Sequence, residues 1–265
     1  MNPEIYFIGD FLIQSYGLFV VIGGYAAFFY MSFYAKKELN IKKDKIAYLA
    51  FLIIIFSFIG AKVFFYLEDP EFYFGTPSNM ISSLGSGFVF FGCAIFGIPA
   101  MYWFFWKNKW PIWQMLDLMA FMGIIAQTFG RMGCFMAGCC YGIPTESWVG
   151  VVFTHPNSLA KPLHTALHPT QLYEVVLLAS IGLFLFWYKD RKKFQGQLIL
   201  IYLIIYSIGR IFMEVYRGDL ARGYIIDEVL THSQLISIFI ITTFSIIYVH
   251  RKTNKSIYPY PKHNI

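Results

Sequence analysis

The chain has 265 residues, of which 57% are hydrophobic and 20% aromatic but only 14% charged. A soluble domain is about one-quarter charged, so this composition excludes a soluble globular protein and indicates one surrounded mostly by lipid. The net charge of +6 does not indicate nucleic-acid binding, because the basic residues lie in short runs between apolar stretches and no nucleic-acid motif accompanies them.

Seven apolar stretches of about 20 residues follow one another along the chain, and an α-helix needs this length to cross about 30 Å of hydrocarbon. They cover approximately residues 12–34, 46–67, 87–106, 112–136, 170–188, 197–216 and 230–249. In lipid a helix satisfies its own backbone hydrogen bonds. The sequence therefore predicts an all-α integral membrane protein, a bundle of about seven transmembrane helices. No repeat or polar linker divides it, so we predict a single transmembrane domain over residues 1–265.

The distribution of basic residues predicts the orientation of these helices. Most of the 21 Lys and Arg residues lie in four segments, 36–45, 107–109, 189–193 and the tail after residue 250. Seven alternating spans place these segments on one side, so the positive-inside rule predicts the N-terminus outside and a cytoplasmic tail at about residues 250–265. The longest connection, about residues 141–169, contains four prolines and is expected outside as an ordered, mostly irregular loop. The opening residues lack the basic region of a signal peptide, so we expect the N-terminus to be retained.

Among the polar residues that precede Arg131 in the predicted spans are Tyr16, Lys62 and Asp117. Tyr16 opens the first span, where it either contributes a hydroxyl group to a lipid site or belongs to the aromatic belt at the membrane surface. Lys62 lies inside the second span and can extend its ammonium group towards the surface. Asp117 lies within a turn or two of the inner end of the fourth span. We assign no chemical role to Lys62 or Asp117.

The fourth span ends in GRMGCFMAGCCYG, which combines Arg131 with small residues such as Gly133. An ionisable group at mid-bilayer costs about 2.5 to 3.5 kcal/mol, so Arg131 needs a partner or a purpose. Small residues allow a ligand or another backbone segment to approach closely. Two interpretations remain open: an anion-binding cavity, or tight helix packing in which Arg131 pairs with a carboxylate such as Glu174 or Glu214.

All four cysteines lie in the third and fourth spans, with no CxxC pair and no zinc-finger spacing. Cys93 suits the role of a small packing residue. Cys134, Cys139 and Cys140 follow Arg131, and a nearby guanidinium favours the thiolate form of a cysteine. Besides packing, this group therefore allows a disulfide or a reactive thiolate.

The fifth and sixth spans carry further ionisable groups. LHPTQLYE opens the fifth span, with Glu174 about one turn inside it as a counter-ion or a general base. In the sixth span Tyr206, Arg210 and Glu214 recur every four residues, and Arg217 follows three later on the same helical face. An Arg210–Glu214 pair is either structural or functional.

Arg131 and Arg210 together suit a phosphate group. A guanidinium binds phosphate through two hydrogen bonds and keeps its charge when buried. The nearest such anion in a membrane is a phospholipid head group.

The order of five motifs, SYGLF, GSGFVFFGCAIFG, GRMGCFMAGCCYG, LHPTQLYE and YSIGRIFMEVYRGD, resembles that of the bacterial prolipoprotein diacylglyceryl transferase family over nearly the full length of the chain. The resemblance implies transfer of the diacylglyceryl group of phosphatidylglycerol to the thiol of a prolipoprotein signal-sequence cysteine, with release of glycerol phosphate. It also implies a location in the bacterial inner (plasma) membrane and no metal or organic cofactor.

Site residues follow from the resemblance together with the polar pattern. Arg131 and Arg210 would hold the phosphate and stabilise charge on the leaving group, while Tyr206 and Glu214 order the site. The catalytic candidates are Arg131, Cys134, Cys139, Glu174, Tyr206, Arg210 and Glu214. The candidates for substrate binding are Tyr16, Gly133, His168, Gln171, Tyr173 and Arg217.

The chain departs from the family pattern at four positions. Phe91 stands where the family usually has the histidine proposed as the base. Cys134, Ala137 and Cys139 stand where it usually has two asparagines and a glutamate. Losing a general base costs about 10²- to 10⁴-fold in rate, so we expect a substitute, either Glu174 or a thiolate of the cysteine group.

Three hypotheses therefore remain. The chain performs the family reaction with an altered base; or it transfers a lipid group to another acceptor, through a reactive cysteine; or it binds or transports lipid without catalysis.

Overall fold

A computed structural model describes residues 3–8, 11–84, 87–219, 223–226 and 229–254. Long helices make up most of this part of the chain, which confirms the predicted all-α integral membrane class. The helices are α1 (Ser15–Leu39), α2 (Lys43–Glu68), α3 (Pro70–Gly75), α4 (Pro77–Ser82), α5 (Phe90–Lys107), α6 (Ile112–Ala137), α7 (Thr170–Tyr188), α8 (Gln197–Val215) and α9 (His232–Thr253). A short 3₁₀ turn, Lys189–Arg191, follows α7.

Six helices of the described chain are long and apolar enough to cross a membrane, namely α1, α2, α6, α7 with its 3₁₀ turn, α8 and α9. Each corresponds to one of the predicted spans. The remaining predicted span, 87–106, corresponds to α5, which has 18 residues and contains Pro99. The count of seven crossings and the predicted orientation stay predictions.

The described chain forms two compact units. One unit runs from Met31 to Met115, and the other combines Met1–Tyr30 with Leu116–Ile265. All the site candidates listed above lie in the second unit, whereas Phe91 lies in the first. The single-domain assignment stays a prediction.

In the unit from Met31 to Met115, α2 and α5 pack closely at a pair of glycines. A side chain at Gly92 would begin only 2.1 Å from the carbonyl oxygen of Gly60, so neither position has room for one. Lys62, on the same part of α2, is buried; its Nζ donates to the carbonyl oxygens of Ser83 (2.7 Å) and Gly87 (3.0 Å). Backbone carbonyls before α5 therefore satisfy an ammonium group that we had expected to extend towards the membrane surface.

In the other unit, α6, α7 and α8 share a buried apolar cluster. Its members are Ala120, Phe121, Ile124, Leu178, Ile181, Leu185, Leu198 and Tyr202. Close packing of such side chains stabilises helix contacts even where lipid is as apolar as the helices. This cluster packs together the three helices that carry most of the polar candidates.

Asp117 has a structural role that the sequence did not reveal. Its buried carboxylate accepts hydrogen bonds from the backbone N–H groups of Gly196 (3.0 Å), Leu198 (2.8 Å) and Ile199 (3.2 Å), and Lys192 Nζ lies 3.5 Å away. The first N–H groups of a helix have no partner within it. Asp117 on α6 therefore caps the start of α8.

Outside the helices, the described residues form three antiparallel strand pairs that the sequence did not predict. They are β1 (Glu4–Ile8) with β2 (Phe11–Gln14), β3 (Val151–Val152) with β4 (Ala166–Leu167), and β5 (Tyr224–Ile226) with β6 (Leu230–Thr231). The loop over residues 141–169 is ordered around buried Phe153, Ala160 and Leu167. The predicted tail begins inside α9, and its part from residue 255 onward lies outside the described residues.

Replacing Asp117 with alanine should lower the melting temperature of the detergent-solubilised protein. The change leaves the first N–H groups of α8 buried without their acceptor, and a lost cap costs about 0.5 to 2 kcal/mol of stability. Thermal denaturation measures the effect. Exposed Asp190 provides the control, because Asp190→Ala should leave the melting temperature unchanged. Equal melting temperatures for the two variants would contradict the capping role.

Candidate functional site

A buried carboxylate, Glu174 of α7, stands at the centre of the polar candidates. Its side chain is 3% exposed, and its Oε2 lies 2.8 Å from Nε of Arg131 on α6. Its Oε1 lies 3.4 Å from Nη1 of Arg210 on α8. The hydroxyl group of Tyr206 also donates to Oε2 at 3.3 Å. One carboxylate therefore joins three helices.

The polar face of α8 adds a second carboxylate. Arg210 Nη2 lies 2.9 Å from Oε2 of Glu214, one turn further along the helix. Two of the pairings that the sequence suggested therefore occur in the structure. Arg131 pairs with Glu174, and Arg210 pairs with Glu214. The two guanidiniums and two carboxylates together carry no net charge, which suits a buried site.

The two arginines keep the means to bind an oxyanion. Arg131 contacts Glu174 through Nε, and a guanidinium has four further N–H donors on its terminal nitrogens. The Arg131 side chain remains 22% exposed. The arrangement can therefore present positive charge to a phosphate group while Glu174 fixes both guanidiniums in position.

The end of α6 brings three thiols together. The Sγ atoms of Cys134, Cys139 and Cys140 all lie within 4.8 Å of one another. After α6 ends at Ala137, Gly138 (φ +78°) and Cys140 (φ +59°) adopt left-handed backbone conformations that turn the chain back. All three cysteines are free thiols.

The two thiols beyond the helix differ in acidity. Hydrogen bonds with the other two thiols lower the pKa of Cys140 far below its usual range, and the guanidiniums of Arg217 and Arg131 lower it further. Hydrogen bonds to Cys134 and Cys140 raise the pKa of Cys139.

Backbone hydrogen bonds hold the segment after α6 between two others. Gly142 N donates to His168 O (2.9 Å), and Ile143 N donates to Tyr216 O (2.9 Å). A side chain at Gly142 would begin 2.6 Å from both of those carbonyl oxygens, so glycine is required. Three motifs distant in sequence thus meet at one end of α6, α7 and α8.

The start of α7 anchors the cysteine segment from the other side. Thr170 Oγ1 donates to the carbonyl oxygen of Cys140 (2.5 Å), and Gln171 Nε2 donates to that of Cys139 (2.6 Å). Both side chains are almost completely buried. Gln171 therefore contacts the cysteine segment, and its role in substrate binding stays a prediction.

The remaining candidates surround this region. His168 Nδ1 lies 2.8 Å from the hydroxyl group of Tyr173, and the His168 ring packs edge-on against Tyr216 at 5.3 Å between centroids. Tyr16 lies at the start of α1, and a side chain at Gly133 would begin 3.2 Å from its Cδ2 atom.

Arg217 binds a residue that the sequence analysis did not consider. Its Nε lies 2.8 Å from Asp219 Oδ1, and its Nη2 binds Asp219 Oδ2. Desolvation lowers the pKa of Arg217, but the hydrogen bonds to Asp219 and the nearby Cys140 outweigh it, so the pKa is raised. Thr170, Tyr216 and Asp219 were missed as members of this region, although each lies inside or beside a motif noted in the sequence.

Comparison with known proteins agrees with these motifs. A family model described as prolipoprotein diacylglyceryl transferase matches residues 3–250. A Clostridium tetani protein named phosphatidylglycerol–prolipoprotein diacylglyceryl transferase is 36% identical over 241 residues, 91% of this chain and 94% of the relative. A Clostridium perfringens protein with the same name followed by the number 2 is 35% identical over 230 residues, which cover 86% of this chain and 87% of the relative. A Rickettsia canadensis protein named phosphatidylglycerol–prolipoprotein diacylglyceryl transferase is 33% identical over 249 residues, which cover 90% of this chain and 92% of the relative.

Replacing Glu174 with alanine should destabilise the protein by about 3 to 5 kcal/mol, the typical cost of removing one partner from a buried ion pair. Two guanidiniums would lose their shared carboxylate. Thermal or denaturant unfolding in detergent measures the change. Glu146→Ala, at an exposed position of the loop, is the control and should unfold like the unmodified protein. A Glu174→Ala variant as stable as this control would show that the pairing does not hold the helices.

Proposed function

The chain belongs to the prolipoprotein diacylglyceryl transferase family, and we propose that it transfers the diacylglyceryl group of phosphatidylglycerol to the thiol of a prolipoprotein signal-sequence cysteine. Glycerol phosphate is the second product. We also propose that this multi-pass membrane protein works in the bacterial inner membrane, where both substrates would meet it. The observation that carries the proposal is the joining of Arg131 and Arg210 by one buried carboxylate, Glu174.

The reaction needs positive charge at the phosphate group. The acceptor sulfur attacks the glyceryl carbon, the bond from that carbon to the phosphate oxygen breaks, and the phosphodiester becomes a phosphomonoester with one more negative charge. Arg131 and Arg210 stabilise this developing charge, because a guanidinium remains cationic when buried. They are the proposed catalytic residues.

Glu174, Glu214 and Tyr206 act as positioning residues in this proposal. The Glu174 carboxylate receives two guanidiniums and the Tyr206 hydroxyl group, so both of its oxygens already hold polar partners. Of the two roles left open for Glu174, the geometry therefore favours the counter-ion over the general base.

Chemistry also argues against a covalent cysteine intermediate for the alternative acceptor reaction. A protein cysteine that attacked the glyceryl carbon would become a thioether, and a thiolate leaves carbon poorly from such a bond. The cysteine cluster is therefore better suited to a role other than nucleophilic attack on the lipid.

Arg210→Lys should reduce the rate of transfer about 10²- to 10³-fold, the usual loss when one preorganised donor to a developing charge is removed. Purified protein in phosphatidylglycerol vesicles is incubated with a peptide carrying the signal-sequence cysteine. Peptide mass and released glycerol phosphate measure the transfer. Arg131→Lys should behave similarly.

Arg191→Lys is the matched control, because Arg191 is exposed in the 3₁₀ turn that follows α7. It should keep the full rate. Full activity of Arg210→Lys would refute the proposed role of the arginines. An unmodified protein that binds phosphatidylglycerol and never consumes it would instead favour a lipid-binding function.

A further inference from the structure

The three-thiol cluster at the end of α6 has the dimensions of a metal site. Three thiolates on one tetrahedral zinc ion, with Zn–S bonds of about 2.3 Å, place their sulfurs about 3.8 Å from one another. The sulfurs of Cys134, Cys139 and Cys140 already lie within 4.8 Å of one another. Each pair of sulfurs is therefore at most about 1 Å farther apart than the ligands of one zinc ion would be.

The backbone around the cluster is fixed in place. The carbonyl groups of Cys139 and Cys140 accept hydrogen bonds from buried Gln171 and Thr170. Gly138 needs its left-handed conformation to make the turn, and a side chain there would begin 2.1 Å from Ser158 Oγ. A site held in this way loses little conformational freedom when it binds an ion.

Ligand type and charge both favour a thiophilic cation. Thiolates select zinc-like and other soft ions over magnesium or calcium. Three thiolates and one divalent ion carry a net charge of −1, so the ion removes most of the negative charge that three neighbouring thiolates would concentrate there. Buried Gln171 Oε1, which has no hydrogen-bond partner among the described residues, adds a polar acceptor beside the cluster.

We propose that Cys134, Cys139 and Cys140 bind one thiophilic divalent metal ion, with zinc as the expected ion, and that its fourth coordination position receives the thiol of the acceptor cysteine. Catalytic zinc sites typically combine three protein ligands with one open position. The second half of the proposal rests on the proposed transferase function. The first half, metal binding, does not.

The coordinated thiol replaces a general base. Metal binding releases to solvent the protons that the three cysteines still hold, and a thiol that coordinates the metal loses its own proton to solvent as well. The resulting thiolate attacks the glyceryl carbon, and the electron pair of the broken carbon–oxygen bond leaves with glycerol phosphate. The metal keeps its oxidation state throughout. No histidine is needed to accept a proton, which is consistent with phenylalanine at position 91.

Zinc binding is tested first, without any substrate. The reduced, full-length protein in detergent is equilibrated with buffered zinc, and bound zinc per protein is measured by mass spectrometry of the metal. We expect one zinc ion per chain, and at least tenfold weaker binding in Cys134→Ser, Cys139→Ser and Cys140→Ser. Cys93→Ser, at the fourth cysteine of the chain, should bind like the unmodified protein. Equal binding by all five proteins would overturn the site.

Alkylation provides a second measurement that does not depend on variants. Of the four cysteines, a thiol reagent should label one in the zinc-loaded protein and all four after zinc is removed in mild denaturant. Loaded protein in which all four thiols remain reactive would also overturn the site.

Transfer activity then tests the fourth coordination position. Removing zinc should lower the transfer rate at least about 10²-fold, the loss expected without a base, and zinc should restore it. Unchanged activity after removal would refute coordination of the acceptor. Arg210→Lys should bind zinc normally and lose activity. If the unmodified protein binds zinc and transfers no lipid, the metal site stands and the proposed function fails.

Discussion

Burial of charge is the constraint on which this structure depends. Arg131, Glu174 and Arg210 lie on α6, α7 and α8, and the Glu174 carboxylate joins the two guanidiniums across the three helices. A guanidinium left alone in such surroundings costs several kcal/mol. The same pairing that permits the helices to pack therefore fixes two cations side by side, and this is the arrangement that a lipid phosphate group requires.

The ends of these helices are held by a different set of bonds. Backbone groups around Gly142, His168 and Tyr216 join the segments that follow α6, precede α7 and follow α8. This junction fixes the cysteine cluster next to the arginine network, because Arg131 and Cys134 are three residues apart on the same helix. Ion pairs between the helices therefore hold the arginine network, and backbone hydrogen bonds at the helix ends hold the cysteine cluster beside it.

Hydropathy was sufficient to predict the long helices, and four-residue spacing was sufficient to predict the polar face of α8. The sequence also offered Glu174 as a partner for Arg131, but only as one of two possibilities. It could not reveal that Asp117 caps α8, because the bonded N–H groups lie about 80 residues away. Nor could it predict that three cysteines meet, since their approach depends on left-handed backbone at Gly138 and Cys140.

The departures from the family pattern make chemical sense as a group. In the predicted correspondence with the family, phenylalanine at position 91 replaces the usual proton acceptor, while Cys134 and Cys139 bring thiols to positions usually held by an asparagine and a glutamate. Three neighbouring thiolates would repel one another unless a cation neutralised them, and two nearby arginines already belong to carboxylate pairs. A bound divalent ion meets this need for charge and also supplies an acidic site for the acceptor thiol. The lost base and the gained thiols are then two sides of one change in how the nucleophile is formed.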